Sequence, residues 1–255
     1  MIVDAHTHIS FNPETVATVP GLLAAMDQAG IDKALVFAAH IFDCGTEKLL
    51  DAIQDHRDRL CAIGSTTQGR LLEDEWSEIN RWFREGAIHG LKLYTGYEHF
   101  YPSDRRFSGV LDLCEKYNRP VIFHSGDTFC KHKQAKLKYA HPLHIDDLAT
   151  DRPNLKIVIA HLGFPWHRDA AEVVYKNQNV YADCSGFVYG KFTEADKLRF
   201  ARVMAEFVDI AGNDDKILFG TDWPISDPSS YVEVLRDLAV KSSVITQKLF
   251  ALEPI

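Results

Sequence analysis

The sequence contains no apolar run of about 18 residues or more, so no membrane-spanning helix is expected. Its N-terminus lacks a basic segment followed by an apolar one and does not read as a secretory leader. No cluster of Lys and Arg suggests a phosphate-tracking face, and the formal net charge is -8, which leaves nucleic acid an unexpected partner. The five cysteines (Cys44, Cys61, Cys114, Cys130 and Cys184) are odd in number, scattered and without a CxxC pair. That usage fits reduced thiols in a cytoplasmic protein, most of them small core residues, better than a disulfide framework. A Gly-rich phosphate loop is also missing. The segment after the first apolar run reads THISFNPET, which argues against an open, doubly wound nucleotide-binding sheet. No low-complexity tract or linker interrupts the chain, so residues 1–255 are expected to form one domain.

What is present is alternation. Candidate strands fall at 2–8, 33–39, 60–66, 90–95, 120–125, 155–162, 179–185 and 216–222, and amphipathic helical patterns at 20–30, 46–59, 73–86, 107–118, 141–151, 166–178, 194–209 and 227–239. Several helices end at Gly or Asn, and Pro120, which cannot donate to a ladder, marks a strand start. Strict strand–helix alternation implies a parallel sheet. Eight such units in about 250 residues close a (β/α)8 TIM barrel. The last stretch, 242–255, reads as a short extra helix packed on the barrel.

In a TIM barrel the active site lies at the C-terminal ends of the strands. Those ends carry His6 and His8 (strand one), Lys92 (four), His124 (five), His161 (six), Asp183 (seven) and Asp222 (eight). Alternation turns His6 and His8 to the same face, with Cα atoms roughly 6.5 Å apart, so that both imidazoles can share one metal ion. An isolated HxH is common on half-exposed strands. Three further strand ends with metal-binding chemistry, one of them adjacent once strand eight closes on strand one, make the metal reading the stronger. Asp4, one step lower, either supports the site through a ligand or makes a buried contact at the barrel floor. Imidazole and carboxylate donors without cysteine suit zinc or another divalent first-row ion.

The segments VDAHTH, PVIFHSGDT, IVIAHLGFPW, VYADCSG and ILFGTDWPI, in this order, resemble the amidohydrolase superfamily, specifically the amidohydrolase 2 family, over nearly the whole chain. The resemblance implies that His6, His8, His124 and Asp222 hold a divalent metal, zinc or alternatively manganese, with one ion per chain favoured over two. It implies that His161 is a catalytic or substrate-polarising residue, or a ligand in a two-metal site bridged by a carboxylated strand-four lysine. Lys92 is that lysine, or else it holds a substrate carboxylate or carbonyl, or pairs with a buried acid; the last two are favoured. If Leu91 and Leu93 face the helices, Lys92 and Tyr94 face inward. Trp223, after Asp222, lines the site or props the aspartate, and Tyr94, Tyr97, His99, Phe100 and Tyr101 wall a pocket or cover the barrel top.

The loop 126–144 carries Lys131, Lys133, Lys136 and Lys138 with His132, which either attract an anionic substrate or form a solvated rim. The expected activity is hydrolysis of an amide, ester or lactone bond in a small substrate, an anionic one if the lysine loop serves to attract it. Asp222 and His161 are the catalytic residues, and Lys92, Tyr94 and Trp223 contact the substrate. Asp222 takes the proton of the attacking water and delivers it to the leaving group, while His161 orients the water or polarises the carbonyl. The alternative is non-oxidative decarboxylation of an unsaturated or aromatic acid. The rival outside enzymology is a barrel that binds a metabolite without turnover. A homo-oligomer is compatible with an exposed barrel end.

Overall fold

A computed structural model describes residues 1–12, 14–40, 43–67, 73–129 and 132–252. Eight parallel strands follow one another around a barrel in sequence order: β1 (Val3–His8), β2 (Lys33–Phe37), β3 (Leu60–Ser65), β4 (Leu91–Leu93), β5 (Val121–Phe123), β6 (Ile157–Ile159), β7 (Val180–Asp183) and β8 (Ile217–Leu218). The helices between and after them are α1 (Val19–Ala29), α2 (Thr46–Ala52), α3 (Glu73–Arg84), α4 (Ser108–Lys116), α5 (His144–Asp151), α6 (His167–Lys176), α7 (Glu194–Ala211) and α8 (Pro228–Phe250). The expected TIM barrel is therefore the observed fold. Its seam is closed by β8 and the residues after it: Ala5 N–H donates to Phe219 O (2.8 Å), Asp222 N–H to His6 O (2.8 Å) and His8 N–H to Trp223 O (2.7 Å).

Two apolar layers hold the barrel. Ala34, Val36, Leu91, Leu93, Val121, Phe123, Ile157 and Ile159 face the helices, while Leu35, Phe37, Ile63, Ile122 and Val158 fill the interior. The period-two split of each strand between two buried surfaces is why these strands read as continuous apolar runs. Leu249, Phe250 and Leu252 join the interior layer against Val3 and Cys61 and plug the N-terminal end.

The strands differ from the sequence reading in two ways. The β1–β2 register slips between Asp4 and Thr7. Val3 and Ala5 pack in the interior layer below the slip, yet the His6 ring also stacks on the interior Phe37 at 4.2 Å. A bulge of this kind breaks simple alternation and re-aims side chains. The ladders of β4, β5 and β6 are only three residues long, so His124 and His161 lie just past the strand ends; His124 N–H still donates to Leu93 O of β4 (2.9 Å), whereas His161 sits in a tight turn.

The expected separate helix at 242–255 is instead the continuation of α8, which runs to Phe250 with a kink at Leu235; residues 253–255 lie outside the described residues. Ser and Thr are poor helix formers because their hydroxyls compete for backbone groups. Here the competition is absorbed: Ser243 Oγ donates to Ala239 O and Thr246 Oγ1 to Ser242 O, one turn back. The same serines receive strand amides, Val3 N–H on Ser243 Oγ (2.8 Å) and Phe219 N–H on Ser242 Oγ (3.0 Å), and so tie α8 to both sides of the seam.

Candidate metal centre and active-site cavity

Three donors converge where β1 meets the end of β8. His8 Nε2 lies 3.3 Å and His6 Nε2 3.7 Å from Asp222 Oδ1, and all three residues are buried. Two ligands each about 2.1 Å from a tetrahedral ion stand about 3.4 Å apart. The observed separations match that spacing. His6 Nε2 and Asp222 Oδ1 are buried without a hydrogen-bond partner, and native proteins rarely leave such atoms unsatisfied without a reason such as a bound ion. The donor set thus fits a divalent metal.

The electrostatics agree. Burial, helped by Lys92, pushes His6 down to about 3 against the pull of Asp183, so the ring is neutral as a ligand must be. His6 Nδ1 meets Asp183 Oδ2 at 2.9 Å, which aims Nε2 at the cage, as carboxylate–histidine–metal triads do. Burial pushes the Asp222 carboxyl up, but the imidazoles of His8, His161 and His6 outweigh it and hold the group well below the usual carboxylate range. Asp4 does not touch either imidazole. Its carboxylate accepts from His6 N–H (3.1 Å), Thr221 N–H (3.0 Å) and Thr221 Oγ1 (2.6 Å), fixing the backbone just before Asp222.

A cavity of about 260 Å³ opens over this group, and His6, His8, Lys92, His124, His161 and Asp222 all border it. His124 stands apart from the convergent three: its Nε2 meets the Asp127 carbonyl at 2.9 Å, and its ring lies 5.1 Å from that of His161. Burial, and then His161, holds His124 well below the ordinary imidazole range. Lys92 is wholly buried and its Nζ has no hydrogen-bond partner. The ammonium lies 5.2 Å from the Phe37 ring centroid and 5.5 Å from that of Tyr94. Burial lowers Lys92 to about 8, with Asp183 and Asp222 resisting the fall. No acid lies within ion-pair distance of it among the described residues, so of its alternative readings the pairing with a buried acid is not formed.

Tyr94 borders the cavity, but its hydroxyl is committed to Ala38 O at 2.8 Å. It walls the cavity, its hydroxyl proton already committed. Trp223 is not among the residues bordering the cavity; its side chain packs in the outer core and its carbonyl anchors His8, so it props the seam. Lys133, Lys136 and Lys138 do not border the cavity either, and Cys130 and Lys131 lie outside the described residues. Tyr97 does border it, its ring tilted by 56° against that of His124 at 4.7 Å.

Sequence reasoning gave no role to Asp183, Ser185 or Gly186, although VYADCSG contains all three. Asp183 Oδ1 accepts from His161 N–H (3.0 Å) and Ser185 N–H (3.1 Å). Gly186 has φ +69°, and a Cβ there would stand 2.9 Å from both Asp222 Oδ2 and His161 Nδ1. His161 (φ 59°) and Asp222 (φ 63°) themselves occupy left-handed backbone, a costly conformation for residues with a Cβ that concentrates at functional sites.

The chain resembles solved barrels along its whole length. An amidohydrolase from Burkholderia multivorans with bound zinc superposes with a TM-score of 0.73 at 14% identity, covering 99% of this chain and 100% of that one. A probable 2-pyrone-4,6-dicarboxylic acid hydrolase from Acinetobacter baumannii with bound citric acid gives 0.69 at 17%, covering 98% and 99%. A dihydroxybenzoic acid decarboxylase from a Polaromonas species, with bound manganese and the inhibitor 2-nitroresorcinol, gives 0.72 at 16%, covering 100% and 98%. No curated protein matches in sequence. At these identities the likeness establishes the fold. The amidohydrolase family model, however, matches residues 3–249, and the chain belongs to the amidohydrolase family.

Proposed function

We propose that this protein is a metal-dependent hydrolase that uses water to cleave an ester, lactone or amide bond in a small carboxylate-bearing molecule. The observation that carries the reading is the pair of orphaned buried atoms, His6 Nε2 and Asp222 Oδ1, facing His8 Nε2 in the cavity that also holds the unpartnered Lys92. His6, His8 and Asp222 would hold the ion, with His124 beside them; zinc suits the donors and manganese is the alternative. A bound ion would supply Lewis-acid polarisation and a lowered water pKa.

The chain's own groups do the rest. Lys92 offers a desolvated ammonium to a substrate carboxylate, an interaction stronger at the cavity floor than in water. The Tyr94 and Tyr97 rings limit the pocket to a small molecule. Asp222 takes a proton from the attacking water and passes it to the leaving group, while His161 either orients that water or polarises the scissile carbonyl. Decarboxylation of an aromatic or unsaturated acid is the competing chemistry, and the unpartnered Lys92 beside His161 would suit its carboxylate too.

A panel of small carboxylated lactones, esters, amides and aromatic acids, run with zinc- or manganese-loaded protein in 18O-water, tests the reading. Hydrolysis is expected to leave one 18O atom in the product acid. Carbon dioxide release with no label in the remaining product would replace hydrolysis by decarboxylation. Binding without any turnover across the panel would favour the binding-only reading.

A further inference from the structure

The polar contacts behind His161 fix where its proton sits. Asp183 is buried at the end of β7, and its carboxylate receives four donors: His161 N–H (3.0 Å), Ser185 N–H (3.1 Å) and the Ser185 hydroxyl (2.5 Å) on Oδ1, and His6 Nδ1 (2.9 Å) on Oδ2. An ionised carboxylate only accepts. The single hydroxyl proton of Ser185 is therefore placed on Asp183, which leaves Oγ with lone pairs alone, facing His6 Nδ1 at 3.1 Å as well as His161. His161 Nδ1 lies 2.9 Å from that Oγ and 3.3 Å from the Ser185 carbonyl oxygen. Both partners are acceptors, so Nδ1 must carry the hydrogen. In its neutral form an imidazole has one N–H, so in that form the Nε2 of His161 is a bare lone pair.

We propose that Asp183 and Ser185 together lock His161 as its Nδ1–H tautomer, making Ser185 a positioning residue that presents Nε2 to the cavity as a hydrogen-bond acceptor. Of the two roles open to His161, this selects one. A bare Nε2 accepts a hydrogen from the attacking water and orients its oxygen; it has no hydrogen to donate to a substrate carbonyl. Gly186 completes the device, since a Cβ there would press on His161 Nδ1 and Asp222 Oδ2 at 2.9 Å and force them apart. The use made of Nε2 rests on the proposed hydrolysis, whereas the tautomer does not.

The test is long-range 1H–15N correlation spectroscopy on metal-free protein with 15N-labelled histidine, the His161 ring being assigned by its disappearance in His161→Asn. The expected wild-type pattern is a protonated Nδ1 and an unprotonated Nε2. In Ser185→Ala only the carbonyl at 3.3 Å remains, and the ring is expected to exchange between tautomers. Turnover should fall about 10- to 100-fold with KM little changed, the usual cost of losing a partner behind an active-site histidine. Ser185→Thr, which keeps the hydroxyl, should restore the wild-type spectrum. A wild-type ring protonated on Nε2, or a Ser185→Ala protein with unchanged spectrum and turnover, overturns the proposal. Because the spectra need no substrate, a failed search for hydrolysis leaves this result standing on its own.

Discussion

Replacing Lys92 by Met should make the protein more stable and less able to bind its substrate. Lys92 is fully buried with an unsatisfied Nζ, and the fall from 10.5 to about 8 measures what burial costs its charge after Asp183 and Asp222 have given some back. At about 1.4 kcal/mol per pH unit the penalty is about 3 kcal/mol. Its sign follows from linkage: between about 8 and 10.5 the unfolded chain holds a proton on this lysine that the folded chain has released, so stability rises with pH there. Below about 8 the penalty is present in full. Methionine has nearly the same reach and no charge, and replacing a buried ion by an apolar residue of similar volume is often stabilising.

Urea unfolding of the metal-free proteins at pH 7 should show Lys92→Met more stable by about 3 kcal/mol, or roughly 6–12 °C in Tm. At pH 10.5 the gap should largely close. With a carboxylate substrate, kcat/KM should fall about 10- to 100-fold through loss of one charge-assisted hydrogen bond. A less stable variant would refute the reasoning, because it would mean that Lys92 is satisfied in the folded protein. An intact mass raised by one carbon dioxide in the wild type alone would identify carboxylation as the reason.

Two further perturbations address the cage. His8→Ala removes one of three convergent donors and should abolish most bound metal, by elemental analysis of the purified protein, together with activity; a fully metallated, active variant would take His8 out of the ligand set. Gly186→Ala meets both a positive φ and two contacts at 2.9 Å. It should fold with a loss of about 1–3 kcal/mol yet turn over about 100-fold more slowly, because small displacements of reacting groups are costly. Wild-type kinetics in that variant would show that Asp222 and His161 tolerate separation.

The barrel was legible in the sequence because each strand buries two faces and each helix one, a contrast that survives in a linear pattern. Most of the donors were legible too: two histidines at a strand end are a local signal, and the PVIFHS and ILFGTD runs announce their own ends. What was hidden depends on contacts between distant segments. The slip in β1 shows only against β2, and the buried polar contact of Asp4, one of its two readings, is made with Thr221 far along the chain. Asp183 and Ser185 gain their roles from His6 and His161, which lie far away in the chain. Trp223 reads as lining the site or propping the aspartate because it follows Asp222; its place in the outer core depends on the left-handed backbone at Asp222, which the sequence does not display. The continuity of α8 through KSSVIT was masked by residue types that favour turns, whose hydroxyls are here occupied by the preceding turn and by the strands.

The seam between β8 and β1 has a consequence for how the protein comes into being. His6 and His8 are synthesised before Asp222, and the carbonyl of His6 is the hydrogen-bond acceptor for the amide of Asp222. A chain that has not yet reached Asp222 presents two histidines and no cage, so it would hold an ion less firmly than the folded barrel would. An ion bound by His6, His8 and Asp222 would act as a clasp across the one junction where the circle of strands is shut by non-consecutive segments. Loading would then be the closing event of assembly, and a chelator would loosen this junction before any other part of the barrel.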